Sequence, residues 1–167
     1  MTNTQLWERR PRAPHGDASP HTIFCAVGLA LTLWETIECE ISIAYIGLLP
    51  GEYRENKYFR TPGFDARYQL VREAIANNAN DKDWGGFGDF MDMVLNYSRR
   101  RHEIAHGRVY NLGEYGFYLG PTNTLSRNFP AGTATYQYTS GDINSYCEEF
   151  GRLAKAAEPF AKQLGRH

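Results

Sequence analysis

The sequence predicts a mainly α-helical bundle of about four main helices, with a small β-hairpin inserted between the third helix and the last. Three observations carry that reading. Apolar residues recur at three/four spacing through four long segments. Pro and Gly stand where those segments start and stop. One stretch after Gly107 is instead rich in Tyr, Phe, Thr and Val separated by Gly, the composition of short strands.

Bulk composition agrees with one globular domain over residues 19–165. The chain has 167 residues, 42% hydrophobic and 22% charged, and its 14% aromatic content argues against disorder. A net charge of −1 gives no general attraction to nucleic acid, so such binding needs a local basic cluster. Cys25, Cys39 and Cys147 lack metal-type spacing and are odd in number. They read as buried, reduced thiols in a cytoplasmic protein. The apolar run "IFCAVGLALTLW" is about half of a membrane span, and Glu35, Glu38 and Glu40 follow at once, so a buried helix and no membrane partner are expected. Residues 1–18 hold no signal-like apolar region, and their Pro, Gly and Arg content predicts a flexible, solvated arm.

Ser19-Pro20 is a helix start, Ser as N-cap and Pro in the first turn, and Gly47 and Pro50 stop that helix. Its expected inward stripe is Phe24, Val27, Leu31, Trp34, Ile37, Ile41 and Tyr45, with Glu35, Glu38 and Ser42 beside it. Residues 50–61 read as a polar connection. A second helix begins near Pro62 and ends at the Asn-rich run 77–80, with Phe64, Tyr68, Leu70, Val71 and Ile75 as its apolar face. "DKDWGGFG" reads as a loop because glycine disfavours a helix interior. The third helix is expected from Asp89 to His106, with Phe90, Met91, Val94, Leu95 and Ser98 inward and Gly107 as its stop. Residues 108–139 form the β-rich insertion of two or three short strands. Ser140-Gly141-Asp142 then caps an amphipathic helix to Leu164, with Ile143, Tyr146, Phe150, Leu153, Ala157 and Phe160 on one side.

The chemistry lies in RRRHEIAHG, residues 99–107. From His102 it is a literal H-E-x-x-H, in which two His four apart on a helix hold zinc and the Glu activates its water. The context opposes that zinc-peptidase reading. The extended form of the motif needs Gly and His where this chain has Val109 and Leu112, and no E-x-x-x-D follows Glu148 or Glu149. Three arginines also precede the first His, and cations beside a site oppose a metal ion. No metal and no cofactor are therefore expected.

From Arg101 the same stretch is R-H-E-I-A-H-G, which resembles the R-x(4–6)-H motif of the HEPN superfamily (higher eukaryotes and prokaryotes nucleotide-binding domain). That family consists of small helical bundles with the motif at the end of a core helix. The resemblance of the bundle spans most of residues 19–165, and the motif itself covers seven residues. It implies metal-independent RNA cleavage at the interface of a homodimer, with RNA as substrate. Toxin or antiphage roles, with an antitoxin protein as a further partner, go with the family. His106 would be the acid/base group and Arg101 the phosphate clamp. Arg99, Arg100, His102 and Asn96 would bind substrate, and Glu35, Glu38 and Glu103 would support the motif. His suits proton transfer near neutral pH, and the planar Arg fork suits phosphate oxygens.

Helical geometry complicates the pair. Five residues at 100° each put Arg101 and His106 about 140° apart, whereas Arg99, His102 and His106 share a face. A helix-bundle module that binds nucleotide, RNA or protein without catalysis uses the same groove. A purely structural account also exists, in which His106 and the arginines offset the dipole at a helix C-terminus.

Overall fold

The computed structural model describes residues 6–49, 57–78, 85–122 and 136–164. Its order is α1 (Pro20–Leu48), α2 (Phe64–Asn77), α3 (Gly85–His106), β1 (Gly107–Asn111), β2 (Phe117–Pro121) and α4 (Ser140–Leu164). The expected helical architecture with a two-stranded antiparallel sheet between the third and fourth helices is what the chain adopts. The chain falls into two compact units. Unit one holds residues 1–33 and 99–150, and unit two holds 34–98 and 151–167.

In unit two, Trp34, Ile37 and Ile41 are fully buried as their spacing predicts. One turn of the same helix buries Glu38, whose carboxylate accepts the Trp34 indole N–H at 2.5 Å and pairs with Arg67 of α2. The Arg67 guanidinium lies over the Tyr58 and Phe59 rings, 5.4 and 5.6 Å from their centres. Burial first, and the Glu38 charge second, hold the Tyr58 phenol protonated far above the usual tyrosine range. Tyr58 is fully buried within what the sequence suggests is a polar connection, of which residues 50–56 lie outside the described residues. Asn78 closes two helices at once, its amide donating to the Leu48 and Ala74 carbonyls at 2.9 and 2.8 Å.

Two expectations about these helices are corrected. Part of the predicted loop is helix, since α3 starts at Gly85 and takes in Gly86 and Gly88. Tertiary packing outweighs glycine's helix cost of about 1 kcal/mol here, because Phe87 is fully buried between Phe90 and Phe160, with ring centres at 6.3 and 5.1 Å. In the first half of α1 the inward residues are Ile23, Ala26 and Ala30, and Phe24 is 59% exposed. That half is apolar nearly all round, so periodicity does not single out a face. By length and composition α1 also meets the test for crossing a membrane, with a third of its apolar window buried. Core helices pass the same test, and this one carries a buried, arginine-paired Glu38. Cys147 is buried as expected, its thiol pushed up to about 11 by burial, whereas Cys25 and Cys39 are exposed.

In unit one, β1 and β2 pair with Val109 opposite Leu119 and Asn111 opposite Phe117. Gly116 turns the hairpin at φ 85°, and a Cβ there would lie 2.7 Å from the Asp17 carbonyl oxygen. Leu119 forms a further bridge with Tyr138. The cap of α4 is not Ser140 but Thr139, whose N–H donates to Asp142 at 2.8 Å while the Asp142 N–H donates back to its hydroxyl at 3.2 Å.

The arm is the largest departure in this unit. Asp17 exchanges backbone hydrogen bonds with Phe117 at 2.9 Å, and its carboxylate accepts the Ser140 N–H at 2.7 Å, the Ser140 hydroxyl and the Thr22 hydroxyl. Upstream, the Tyr146 hydroxyl donates to the Glu8 carbonyl at 2.7 Å and the Tyr118 hydroxyl donates to the Ala13 carbonyl at 3.2 Å. Arg10 and Arg12 lie over the Tyr146 and Tyr118 rings. From Glu8 to Asp17 the arm is a strap held by unit one, not a solvated tail.

Removing the Glu38 carboxylate strands a largely buried guanidinium. Glu38→Ala is expected to cost about 3–5 kcal/mol and to lower Tm by roughly 6–20 °C, read by thermal unfolding.

Candidate functional site

The last two turns of α3 carry the motif, and their termination is set by contact. A Cβ on Gly107 would lie 2.7 Å from Leu119 Cγ and 2.9 Å from the Glu103 carbonyl oxygen, so only glycine lets the chain turn there into β1. Upstream of that stop the helix has two faces. Arg100, Glu103 and Ile104 are buried, while Arg99, His102 and His106 are exposed.

Glu103 organises the inward face. It is 8% exposed, and burying an unpaired carboxylate costs several kcal/mol. Arg9 of the strap donates to its Oε1 from Nε at 2.9 Å and Nη2 at 2.5 Å, and the Arg100 guanidinium stands 3.4 Å from the same oxygen. The Tyr138 hydroxyl donates to Oε2 at 2.5 Å, and the Tyr136 hydroxyl donates to the Glu103 carbonyl at 3.1 Å. Tyr136 and Tyr138 are two apart in extended chain and therefore stack on one side, ring centres 5.1 Å apart. Burial, reinforced by the Glu103 hydrogen bond, lifts Tyr138 far above the ordinary tyrosine range, and burial with the Glu103 charge pushes Tyr136 up to about 12. Both therefore remain donors at any physiological pH. The Arg9 guanidinium is held charged chiefly by its hydrogen bond to Glu103, against the opposing effect of its own burial.

On the outward face the His102 and His106 rings have centres 4.5 Å apart with planes at 49°. Arg99 precedes His106 by seven residues, so the two lie about 20° apart around the helix. Arg101 is half-buried on neither face. Arg108 follows in β1, exposed, its guanidinium 5.9 Å from the Tyr110 ring centre. Of the four arginines in these ten residues, Arg100 pairs inward with Glu103, while Arg99 and Arg108 are exposed and Arg101 half-buried, which leaves local positive charge on a near-neutral chain.

The residues expected at the site divide accordingly. Arg99, His102 and His106 come together on the open face. Arg100 does not join them, because its guanidinium turns inward to Glu103. Glu103 is arginine-paired but buried rather than at the surface. Glu38 does not serve the motif's arginines either, since its carboxylate is taken by Arg67 and Trp34 in unit two. Glu35 and Asn96 are exposed, and Tyr97 is a core residue. Among the described residues no third His, Cys, Asp or Glu joins His102 and His106 in a group able to hold a metal. With both Glu103 oxygens occupied, the H-E-x-x-H string lacks the free carboxylate a zinc peptidase needs.

Arg9, Tyr136 and Tyr138 escaped the sequence reading. The signal was present as the Tyr-x-Tyr alternation at 136–138 and the "RRPR" run, but nothing local ties either to Glu103 across 94 and 35 residues. Comparison with family models, curated proteins and solved structures returns no match, so the site stands on its own geometry.

Glu103→Ala is expected to cost about 3–5 kcal/mol. Glu103→Gln, which keeps an acceptor for Tyr138, should cost roughly 1–3 kcal/mol. A melting temperature for the alanine variant within about 2 °C of the parent would show that this carboxylate does not organise unit one.

Proposed function

We propose that the chain is a HEPN-like, metal-independent endoribonuclease that works as a homodimer, with His106 as the proton-transfer group. Arg99 rather than Arg101 is the phosphate clamp, and His102 assists in binding. The observation that carries this is the exposed Arg99/His102/His106 face at the end of α3, with Glu103 withdrawn behind it. Six residues separate Arg99 from His106, which also fits the R-x(4–6)-H pattern that the motif resembles.

The chemistry is an attack of the ribose 2′-oxygen on the adjacent phosphorus. The 2′-O–P bond forms, the P–O5′ bond breaks, and the products are a 2′,3′-cyclic phosphate and a 5′-hydroxyl end. A neutral imidazole takes the 2′-proton, an imidazolium gives one to the leaving 5′-oxygen, and a guanidinium binds the oxygens where negative charge gathers. In-line displacement puts the two oxygens on opposite sides of phosphorus, so base and acid stand roughly 8 Å apart. The His102 and His106 rings are too close together for that division of labour. One chain therefore supplies one side of the reaction and a second copy the other, which is the argument for a C₂ pair. An intracellular toxin or antiphage role, restrained by an antitoxin, accompanies this reading through the family resemblance alone.

The test is cleavage of a mixed RNA pool in EDTA. The wild type is expected to leave 2′,3′-cyclic phosphate ends, with activity falling steeply on dilution. His106→Ala should lower the rate by about 10²–10⁴-fold and Arg99→Ala by about 10²–10³-fold, with Arg101→Ala affecting it less than Arg99→Ala. RNA binding without any cleavage would replace the enzyme with a nucleic-acid-binding module.

A further inference from the structure

We propose that His102 and His106 form a two-point site for a divalent transition ion of the imidazole-preferring class, Zn²⁺, Ni²⁺ or Cu²⁺, and that the bound ion switches the ribonucleolytic face off. The ion site rests on the geometry of the two rings. The switch rests in addition on the ribonuclease reading.

Both histidines are exposed, one helical turn apart on one face, with ring centres 4.5 Å apart. A metal–nitrogen bond of about 2.0–2.1 Å puts a ring centre about 3.2 Å from the ion, so two ligands have centres about 4.5 Å apart at a right angle and about 5.2 Å apart at the tetrahedral angle of zinc. The rings stand within the range from which small side-chain rotations bring two imidazoles onto one ion. Imidazole ligates through the same lone pair that would accept a proton, so an ion held by both rings removes the acid/base group and the neighbouring binding residue together.

The surroundings limit what such an ion can do. Glu103, the residue that would activate a metal-bound water, is buried and already taken by Arg9, Arg100 and Tyr138. No third acidic, thiol or imidazole ligand is present among the described residues, so water or a second copy completes the coordination. Arg99 on the same face opposes the ion's charge, which sets the site in the weak, reversible class rather than among structural sites. An ion there inhibits and does not hydrolyse.

A competing pair lies among the described residues. His21 and Cys25 are also four apart and exposed, with Nε2 and Sγ 3.5 Å apart, so the Cys25→Ser variant is run alongside. The experiment titrates the full chain with Zn²⁺ in chelator-free buffer, following histidine ring NMR signals and calorimetric heat, and then measures RNA cleavage at saturation before and after EDTA. The expected result is that the His102 and His106 signals move together in the parent and in Cys25→Ser. Either His→Ala change, at an exposed position that the fold tolerates, should weaken that binding by about tenfold or more. Cleavage should fall by about tenfold or more and return with EDTA. Ring signals that stay fixed at millimolar Zn²⁺, or a His102→Ala protein that binds as tightly as the parent, overturn the ion site. Cleavage unaffected by ion bound at the pair overturns the switch. Zn²⁺ bound at the pair in a protein that cleaves no RNA upholds the ion site and removes the ribonuclease reading instead.

Discussion

A carboxylate taken out of water must be matched by charge and hydrogen bonds, or the segment that carries it will not stay folded. In unit one that carboxylate is Glu103, and the groups that match it come from three places: Arg9 of the strap, Arg100 one turn earlier in α3, and Tyr138 just before α4. Each is drawn inward by the same two oxygens. Because residues of one helix turn together, fixing Glu103 inward also fixes what faces out. Arg99 and His106 lie roughly 40° and 60° to one side of Glu103, and His102 about 100° to the same side. The open face of the motif is thus a consequence of the closed one.

Asp17 performs a comparable task at the other end of the strap, where its carboxylate holds the start of α4 and the Thr22 hydroxyl while its backbone pairs with β2. Both acidic residues do what an isolated helix or hairpin cannot. They join segments far apart in sequence through charge-assisted hydrogen bonds, which are stronger than those between neutral groups. The strap between them is gripped by tyrosine rings that lie under its arginines. The high tyrosine content of the chain therefore has a structural use, since a tyrosine covers a guanidinium with its ring and reaches a carbonyl with its hydroxyl.

How far this was legible in the sequence depends on the range of the forces involved. Pro20, Gly107 and the Ile143/Tyr146/Phe150 spacing act within a few residues, and the helix limits and the inward face of α4 were readable from them. So was the shared face of Arg99, His102 and His106, which follows from 100° per residue alone. Where the deciding contact is distant, local reading failed. Gly85 and Gly86 are helical because Phe87 finds Phe90 and Phe160, and no window of the sequence contains that pairing. The N-terminal half of α1 presents Ile23 rather than Phe24 to the core, because an apolar surface all round leaves the choice of face to its neighbours. For Glu103 a pairing with arginine was open to the sequence, but its burial was not, since Arg9 and Tyr138 come from 94 and 35 residues away.

The two readings of RHEIAH differ in what they ask of Glu103. A zinc peptidase needs Glu103 beside the two histidines, yet the fold has committed that carboxylate to arginines on the buried side. What remains outside is a pair of imidazoles and a guanidinium, which no third metal-ligating residue joins among the described residues. One helical turn keeps the two rings close, with centres 4.5 Å apart. The proposed ribonuclease chemistry calls for a second proton-transfer group from another element. Within unit one the strap, Tyr136 and Tyr138 are all engaged on the Glu103 side of α3, so they do not supply it. On the ribonuclease reading proposed above, a second copy of the same exposed face would supply it, and the reaction would be a property of the pair rather than of the chain.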